Sequence, residues 1–342
     1  MPVKHNSRVP VEAWYVYSFT AFILSTMSKA ILLQLIPVAE HPLLETLDQS
    51  YERILLPNAL SSAELSALAP RVELILTSAT TPTPAALIDR LPALKAICSA
   101  GVGYDAIDVS YAQQKNILVS NTPDVLNDCV ADLAWGLLIS TIRKIPQADR
   151  FVRQNAWTAH YTFPLSNRVS GKKLGIVGLG RIGDAIAQRG QGFSMQIRYH
   201  NRHQRPDVAW TYAETLLELA QWADILLIAT VGGESTRHLI DHSILKALGP
   251  QGVLINIARG SVVDQDALIS ALQNGSLGAA GLDVYADEPG VPAALRELDQ
   301  VVLTPHIASA TQETRTTMLE LALSNLLSVH SSGRCLTPIP TI

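Results

Sequence analysis

The 342-residue sequence predicts an α/β protein built from two successive parallel-sheet series, each wrapped by helices. Three observations predict it. From Ile31 onward, short β-rich apolar runs alternate with helix-patterned stretches, the pattern of a parallel sheet with helical crossovers. One long helical stretch over residues 128–145 interrupts that alternation, and it starts afresh at Lys172. The fresh start opens on a glycine-spaced turn, Gly178-Leu179-Gly180-Arg181-Ile182-Gly183, set between a strand and a helix.

Composition narrows the functional classes. Hydrophobic residues make up 48% and charged residues 16%, which excludes wholesale disorder. A chain this long buries roughly three quarters of its unfolded surface, so it needs no disulfide or metal staple. Lys and Arg total 26 against 30 Asp and Glu, a formal net charge of -4 with no long basic run. That is a poor balance for a nucleic-acid partner. Cys98, Cys129 and Cys335 lie far apart in sequence without CxxC spacing. A disulfide framework or zinc site is therefore not expected, and a reducing cytoplasm is. His238 and His242 stand four apart but lack the glutamate of a metal-binding HExxH; they are expected as two partly exposed helix residues, and no metal is expected.

The elements follow in order. Lys4 and Arg8 precede an apolar run over residues 13–24, which is too short to span a bilayer and has no convincing A-x-A cleavage site after it. Residues 1–26 are read as an extension outside the fold, with Met27 just before the first strand. No membrane partner is expected. Strands are expected over residues 30–36, 74–77 and 97–99, and helices over 61–68 and 83–91. In the helix over 128–145, Val130, Leu133, Ala134, Leu137, Leu138 and Ile142 recur at helical spacing, and Pro146 follows its end. Residues 151–170 read as a connector. The second series offers strands over 173–177, 195–199, 225–229, 253–257, 278–284 and 301–304, with helices over 182–189, 216–222, 243–248 and 264–273. Six such strands suit a dinucleotide-binding sheet. A last helix is expected over 312–329.

The glycine turn carries the first chemistry. Gly178 permits the tight turn, Gly180 lets backbone N–H groups approach a pyrophosphate, and Gly183 lets the helix pack close to the strand. The helix opening at Arg181 and Ile182 presents its positive end to the phosphates. NAD enzymes usually end the second strand on a carboxylate that holds the ribose 2′-hydroxyl. Here the stretch from Arg198 to Arg205 has none, and the next carboxylate is Asp207. Asn201 with Arg202 would instead admit a 2′-phosphate, with Arg205 or His203 assisting; the alternative is a solvated basic loop. NADP(H) is the preferred cofactor and NAD(H) the second choice.

Three strand ends carry the rest. Reducing a 2-keto acid needs a cation for the carboxylate, a proton donor for the carbonyl oxygen, and something that keeps the donor protonated. Arg259 suits the first by bidentate pairing. His306 suits the second, because an imidazole titrates near neutrality. Glu288 suits the third by favouring the imidazolium. Each has a bland alternative: a strand-capping histidine, a turn glutamate before Pro289, a structural arginine. Their joint placement after three strands favours the chemical reading.

With these residues in place the sequence resembles the D-isomer-specific 2-hydroxyacid dehydrogenases, a family that includes glyoxylate/hydroxypyruvate reductases. The resemblance runs from about residue 30 to 330 and includes Gly101-Val102-Gly103-Tyr104-Asp105, Asn121-Thr122-Pro123, the glycine turn, and the Arg259, Glu288 and His306 segments. It implies a Rossmann cofactor domain over 125–309 inserted in a flavodoxin-like substrate domain, 27–124 plus 310–342, both doubly wound. It implies that Arg259 binds carboxylate and carbonyl, His306 is the acid/base and Glu288 tunes it. The N–H groups of Val102 and Gly103 would cradle the substrate carboxylate, Thr230 would lie at the cofactor, and Asp283 would hold the nicotinamide amide. A homodimer is the family's usual state. The implied reaction is NADPH-preferring reduction of glyoxylate, hydroxypyruvate or a similar acid to a D-2-hydroxy acid. Specificity is expected in loops around residues 55–56, 78–79 and 99–100. Some relatives are dinucleotide-sensing corepressors, which is the alternative reading. Two departures stand out: Thr230-Val231-Gly232-Gly233-Glu234-Ser235-Thr236 replaces the commoner Leu-Thr-Pro-Glu-Thr, and Asp132 stands where many relatives have glutamate.

Overall fold

A computed structural model describes residues 29–55 and 62–340. The extension expected over residues 1–26 lies outside the described residues, as does Leu56 of the first specificity loop. The chain divides into two units. The first holds the described residues through Ala100, then Ala106–Asn121 and the segment from Ala322. The second holds Gly101–Asp105 and Thr122–Leu321.

In the first unit, β1 (Ala30–Gln34), β2 (Tyr51–Leu55), β3 (Val72–Thr77), β4 (Ala96–Ser99) and β5 (Leu118–Ser120) form a parallel sheet ordered β2-β1-β3-β4-β5. That is the flavodoxin-like doubly wound order. Ile31, Leu32, Leu33, Leu74, Ile75 and Leu76 are fully buried, because a parallel sheet is covered on both faces and its central strands become continuous apolar runs. The edge strands β2 and β5 have no such run. β2 reads Tyr-Glu-Arg-Ile-Leu and β5 has three residues, so neither showed in the apolar pattern. After the helix Gln312–Ser332 the tail returns along β5, where Ile339 N–H donates to Val119 O at 2.8 Å. The tail also brings Cys335 into hydrogen-bonding reach of Cys98; all three cysteines are free thiols.

The second unit carries β6 (Lys173–Val177), β7 (Gln196–His200), β8 (Thr211–Tyr212), β9 (Ile225–Ile228), β10 (Val253–Asn256), β11 (Ala279–Leu282) and β12 (Val301–Leu303). Their order is β12-β11-β10-β9-β6-β7-β8, all parallel. The winding reverses between β6 and β9, the switch point beside which such sheets bind dinucleotides. Two cores lie on the two faces. Leu226, Ile228 and Leu254 enter one, with the helices Leu216–Trp222, His242–Leu248 and Gln265–Gln273. Ile225, Leu227 and Ile255 enter the other, with Ala134, Leu137 and Leu138 of the long helix. The alternation is the two-residue period of a strand buried on both sides.

Three expectations need correction. The long helix spans Asn127–Arg143 and stops at Lys144, whose φ of 54° is left-handed. A second helix, Ile145–Arg153, follows at once with Pro146 in its first turn, where a missing N–H is harmless. The connector therefore begins later than residue 151. The nucleotide-side sheet has seven strands rather than six, since the two-residue β8 leaves no apolar run in the sequence. His238 and His242 do not share a helix: His238 sits outside at a φ of 49°, and His242 opens the helix His242–Leu248. Among the described residues, no helix is long and apolar enough to cross a membrane and no group of three or more His, Cys, Asp and Glu side chains is placed to hold a metal ion.

Candidate active site

β6 ends at Val177 in the middle of its sheet, and the chain turns at Gly178 with a φ of 95°. A Cβ there would lie 2.5 Å from the backbone N and Cα of Thr230, so the turn and the close approach both require glycine. A Cβ at Gly183 would run into the Gly178 carbonyl oxygen. Gly180 differs: it caps the helix Arg181–Gln191, and nothing lies within 4 Å of where its Cβ would stand. Open space thus meets a helix end whose first N–H groups lack intrahelical acceptors, and these residues fit a dinucleotide pyrophosphate.

The residues expected around a 2′-phosphate divide into two kinds. Asn201 Oδ1 accepts from Leu179 N–H at 2.6 Å and Nδ2 donates to Leu179 O at 3.4 Å, so Asn201 clamps the glycine turn to the end of β7. Arg205 Nη1 also donates to Leu179 O, at 3.2 Å, while its guanidinium pairs with Asp207. Arg202 and His203 stay exposed. Arg181 forms an exposed ion pair with Asp124 at 2.9 Å, and Ile182 is half-buried.

The strand ends hold the titratable groups. His306 follows β12 and adopts a left-handed φ of 54°. Such a conformation persists where neighbours fix it, and Asp283 does so. His306 N–H donates to Asp283 O at 2.9 Å, and the Asp283 carboxylate accepts from Ile307 N–H at 2.8 Å, Ala308 N–H at 2.9 Å and Thr304 Oγ1 at 2.7 Å. Asp283 is fully buried. The resemblance assigned it to the nicotinamide amide; in this structure both its oxygens anchor the His306 turn.

His306 Nδ1 lies 2.6 Å from Glu288 Oε2, with the two side chains 30% and 28% exposed. Glu288 Oε1 accepts from Tyr285 N–H at 3.1 Å. Burial pushes the Glu288 carboxyl up and is the largest single influence. The hydrogen bonds from His306 and Tyr285 N–H, with the charges of His306 and Arg259, outweigh it and hold the carboxyl below its ordinary value. An ionised Glu288 only accepts, so Nδ1 carries the shared hydrogen and proton exchange falls to Nε2. Tyr285, pushed up to about 12 chiefly by burial and then by the Asp283 charge, stays a donor to Leu282 O and Thr304 O.

Arg259 follows β10 with its side chain 20% exposed. Its Nε donates to both Asp105 oxygens, at 3.2 and 3.1 Å, and Nη1 donates to Ala258 O at 2.8 Å. It packs against two positions without a Cβ. A Cβ at Gly103 would strike Nη2, and one at Gly232 would lie 2.6 Å from Cγ. Gly103 therefore borders the Arg259 guanidinium, and Val102 stands in the same unit. Sequence reasoning missed Asp105 as the partner of Arg259 and Asn201 as a clamp. An arginine taken largely out of water calls for an anion, but that burial is set by the fold. Nothing in the sequence chose Asp105 among the acidic residues.

Comparison with known proteins places this geometry. The family profile for the D-isomer specific 2-hydroxyacid dehydrogenase NAD binding domain matches residues 135–308. The chain is 48% identical over 255 residues to glyoxylate/hydroxypyruvate reductase A of Arabidopsis thaliana, covering 75% of this chain and 81% of that one. It is 40% identical over 299 residues to the 2-ketogluconate reductase of Gluconobacter oxydans, covering 87% and 96%. A crystal structure of the NADPH-dependent glyoxylate/hydroxypyruvate reductase of Sinorhizobium meliloti, in complex with NADP and malonate, superposes with a TM-score of 0.84. It is 42% identical, with 92% of this chain and 98% of that one covered.

Proposed function

The chain belongs to the D-isomer specific 2-hydroxyacid dehydrogenase family and is an NAD(P)-dependent oxidoreductase, and from that premise we propose that it reduces glyoxylate, hydroxypyruvate or a similar small 2-keto acid to the D-2-hydroxy acid. The observation that carries the reading is the Glu288–His306 pair at 2.6 Å, within the electrostatic reach of Arg259.

A nicotinamide bound there would supply hydride to the carbonyl carbon. Arg259 and the N–H groups of Val102 and Gly103 hold the substrate carboxylate. His306 gives its Nε2 proton to the carbonyl oxygen as negative charge develops there, and the ionised Glu288 keeps the ring oriented and charged. Asp283 acts through the His306 turn that it anchors. Gly178, Gly180, Gly183 and the N–H groups at Arg181 and Ile182 receive the pyrophosphate beside Thr230. NADPH is preferred over NADH: β7 ends without a carboxylate, Arg202 is exposed beside the clamped turn, and the Sinorhizobium relative is named NADPH-dependent. Residues 125–309 serve as the cofactor domain, and 27–124 with 310–342 as the substrate domain.

The protein works as a homodimer in the cytoplasm. Ile145, Val152, Trp157, Tyr161 and Leu165 are exposed within one 21-residue stretch, Trp157 at 69% and Leu165 at 97%, an apolar run that a second copy would cover. The free thiols suit a reducing compartment. A panel of 2-keto acids assayed with NADPH and NADH tests the reading. Turnover of glyoxylate or hydroxypyruvate with NADPH favoured is expected. No turnover on any member, with dinucleotide binding intact, would instead favour a dinucleotide-sensing role. Sedimentation of Trp157→Asp should show monomer where the wild type shows dimer.

A further inference from the structure

We propose that Asp105 is a positioning residue for Arg259, and that Gly232 keeps open the space in which the two side chains meet. The inference rests on the reading of Arg259 as the anchor of the substrate carboxylate. An arginine side chain loses much rotamer freedom when it is fixed. A guanidinium that must meet a small carboxylate in one orientation gains from being fixed before substrate arrives.

Asp105 takes Nε through both its oxygens, and Ala258 O takes one hydrogen of Nη1. The remaining donors lie on Nη1 and Nη2. An incoming carboxylate therefore meets the end of the fork, and its Nε edge is closed. Gly103 borders Nη2 itself. Its N–H, which the reading gives to the substrate carboxylate, thus neighbours the part of Arg259 that still has hydrogens to give. Gly232 borders the pair as well. A Cβ there would lie 2.6 Å from Arg259 Cγ and 3.0 Å from Asp105 Oδ2. The glycine that departs from the commoner family sequence has a steric use here: any side chain would push the guanidinium or its carboxylate partner. With side chains 20% and 25% exposed, the pair is largely removed from solvent screening.

The experiment compares wild type, Asp105→Ala, Asp105→Asn, Gly232→Ala, Arg259→Ala and Arg259→Ala/Asp105→Ala. Asp105→Ala should raise the KM for glyoxylate about tenfold or more, the scale of a lost hydrogen bond to a charged group, and leave the KM for NADPH unchanged. Asp105→Asn keeps an oxygen for Nε and should fall between the two. Gly232→Ala should resemble Asp105→Ala. Free guanidinium added to Arg259→Ala should restore part of the turnover, because Asp105 still offers it a seat; in the double variant it should restore none. A merely structural Asp105 would not create that difference. An unchanged glyoxylate KM in Asp105→Ala overturns the proposal. So does a parallel rise in both KM values, or guanidinium rescue that is equal or absent in both Arg259 variants. Titration of the same proteins with oxamate in the presence of NADPH reads the seat without turnover. If the wild type reduces no keto acid, the reductase reading fails, while weaker oxamate binding in Asp105→Ala still upholds the seat and equal binding still overturns it.

Discussion

At the end of β6 the chain is built to recognise with its backbone; at the ends of β10, β11 and β12 it is built to act with side chains. The first region needs little more than the absence of atoms. Gly178 and Gly183 are glycine because Thr230 and the turn itself fill the space a Cβ would take, and Gly180 is glycine where that space is open. Its parts are neighbours in sequence. The second region needs groups present, charged and held: Glu288 reaches across 18 residues to His306, and Asp105 across 154 to Arg259. Recognition by exclusion is local, whereas recognition by charge draws on partners from anywhere in the chain.

That contrast sorts the expected effects. His306→Ala should cut kcat for glyoxylate reduction by about a hundred- to ten-thousandfold, the usual worth of a general acid, while NADPH titration shows near-normal affinity. Gly178→Val should do the reverse. The strain of a φ of 95° costs about 1–3 kcal/mol, and the overlap with Thr230 adds to it. NADPH affinity should then drop by about a hundredfold or more, measured by nucleotide fluorescence. If Gly178→Val instead lowered kcat at saturating NADPH with affinity intact, the two regions would not be separable in this way. Arg202→Ala should be milder, raising the KM for NADPH by roughly fivefold, as for an exposed ion pair, and leaving that for NADH alone. A wild type that prefers NADH tenfold would remove Arg202 from the site. The smallest effect is on stability. Glu288 has a lowered carboxyl pKa in the folded state, so its stabilisation is present above the unfolded carboxylate value and is lost as pH falls through the lowered one. The gap in Tm between wild type and Glu288→Gln should narrow over that acid range.

The sequence was most legible where the physics was local. β6 and the helix Leu216–Trp222 match their expected bounds, because apolar runs and a Thr215 cap mark them directly. β2 and β8 were illegible because they bury little and leave no apolar run, and β5 because it is only three residues long. The break at Lys144 was hidden because its left-handed turn is made by a lysine rather than by a glycine that would mark it. In the site, Arg259, Glu288 and His306 could be picked out as strand-end residues of the right chemistry. The choice of Asp105 as partner, the use of Asn201 on Leu179 and the burial of Asp283 under the His306 turn depend on how distant segments meet. No spacing in the chain encodes them.

The central claim is that His306 donates the proton and Glu288 keeps it charged. The most direct test is the pH dependence of kcat/KM for glyoxylate reduction in wild type and in Glu288→Gln, an isosteric change that keeps an oxygen for Nδ1 and removes the charge. Reduction consumes the proton of the imidazolium, so kcat/KM falls as pH rises and that proton is lost. Glu288 Oε2 lies 2.6 Å from Nδ1, and the hydrogen bond and charge of His306 help to hold the Glu288 carboxyl below its ordinary value, a mutual attraction that the variant removes. In Glu288→Gln the fall should therefore begin at lower pH, with the acid plateau little changed. Superimposable profiles would contradict the role of Glu288. A fall that persists unaltered in His306→Ala would contradict the account as a whole.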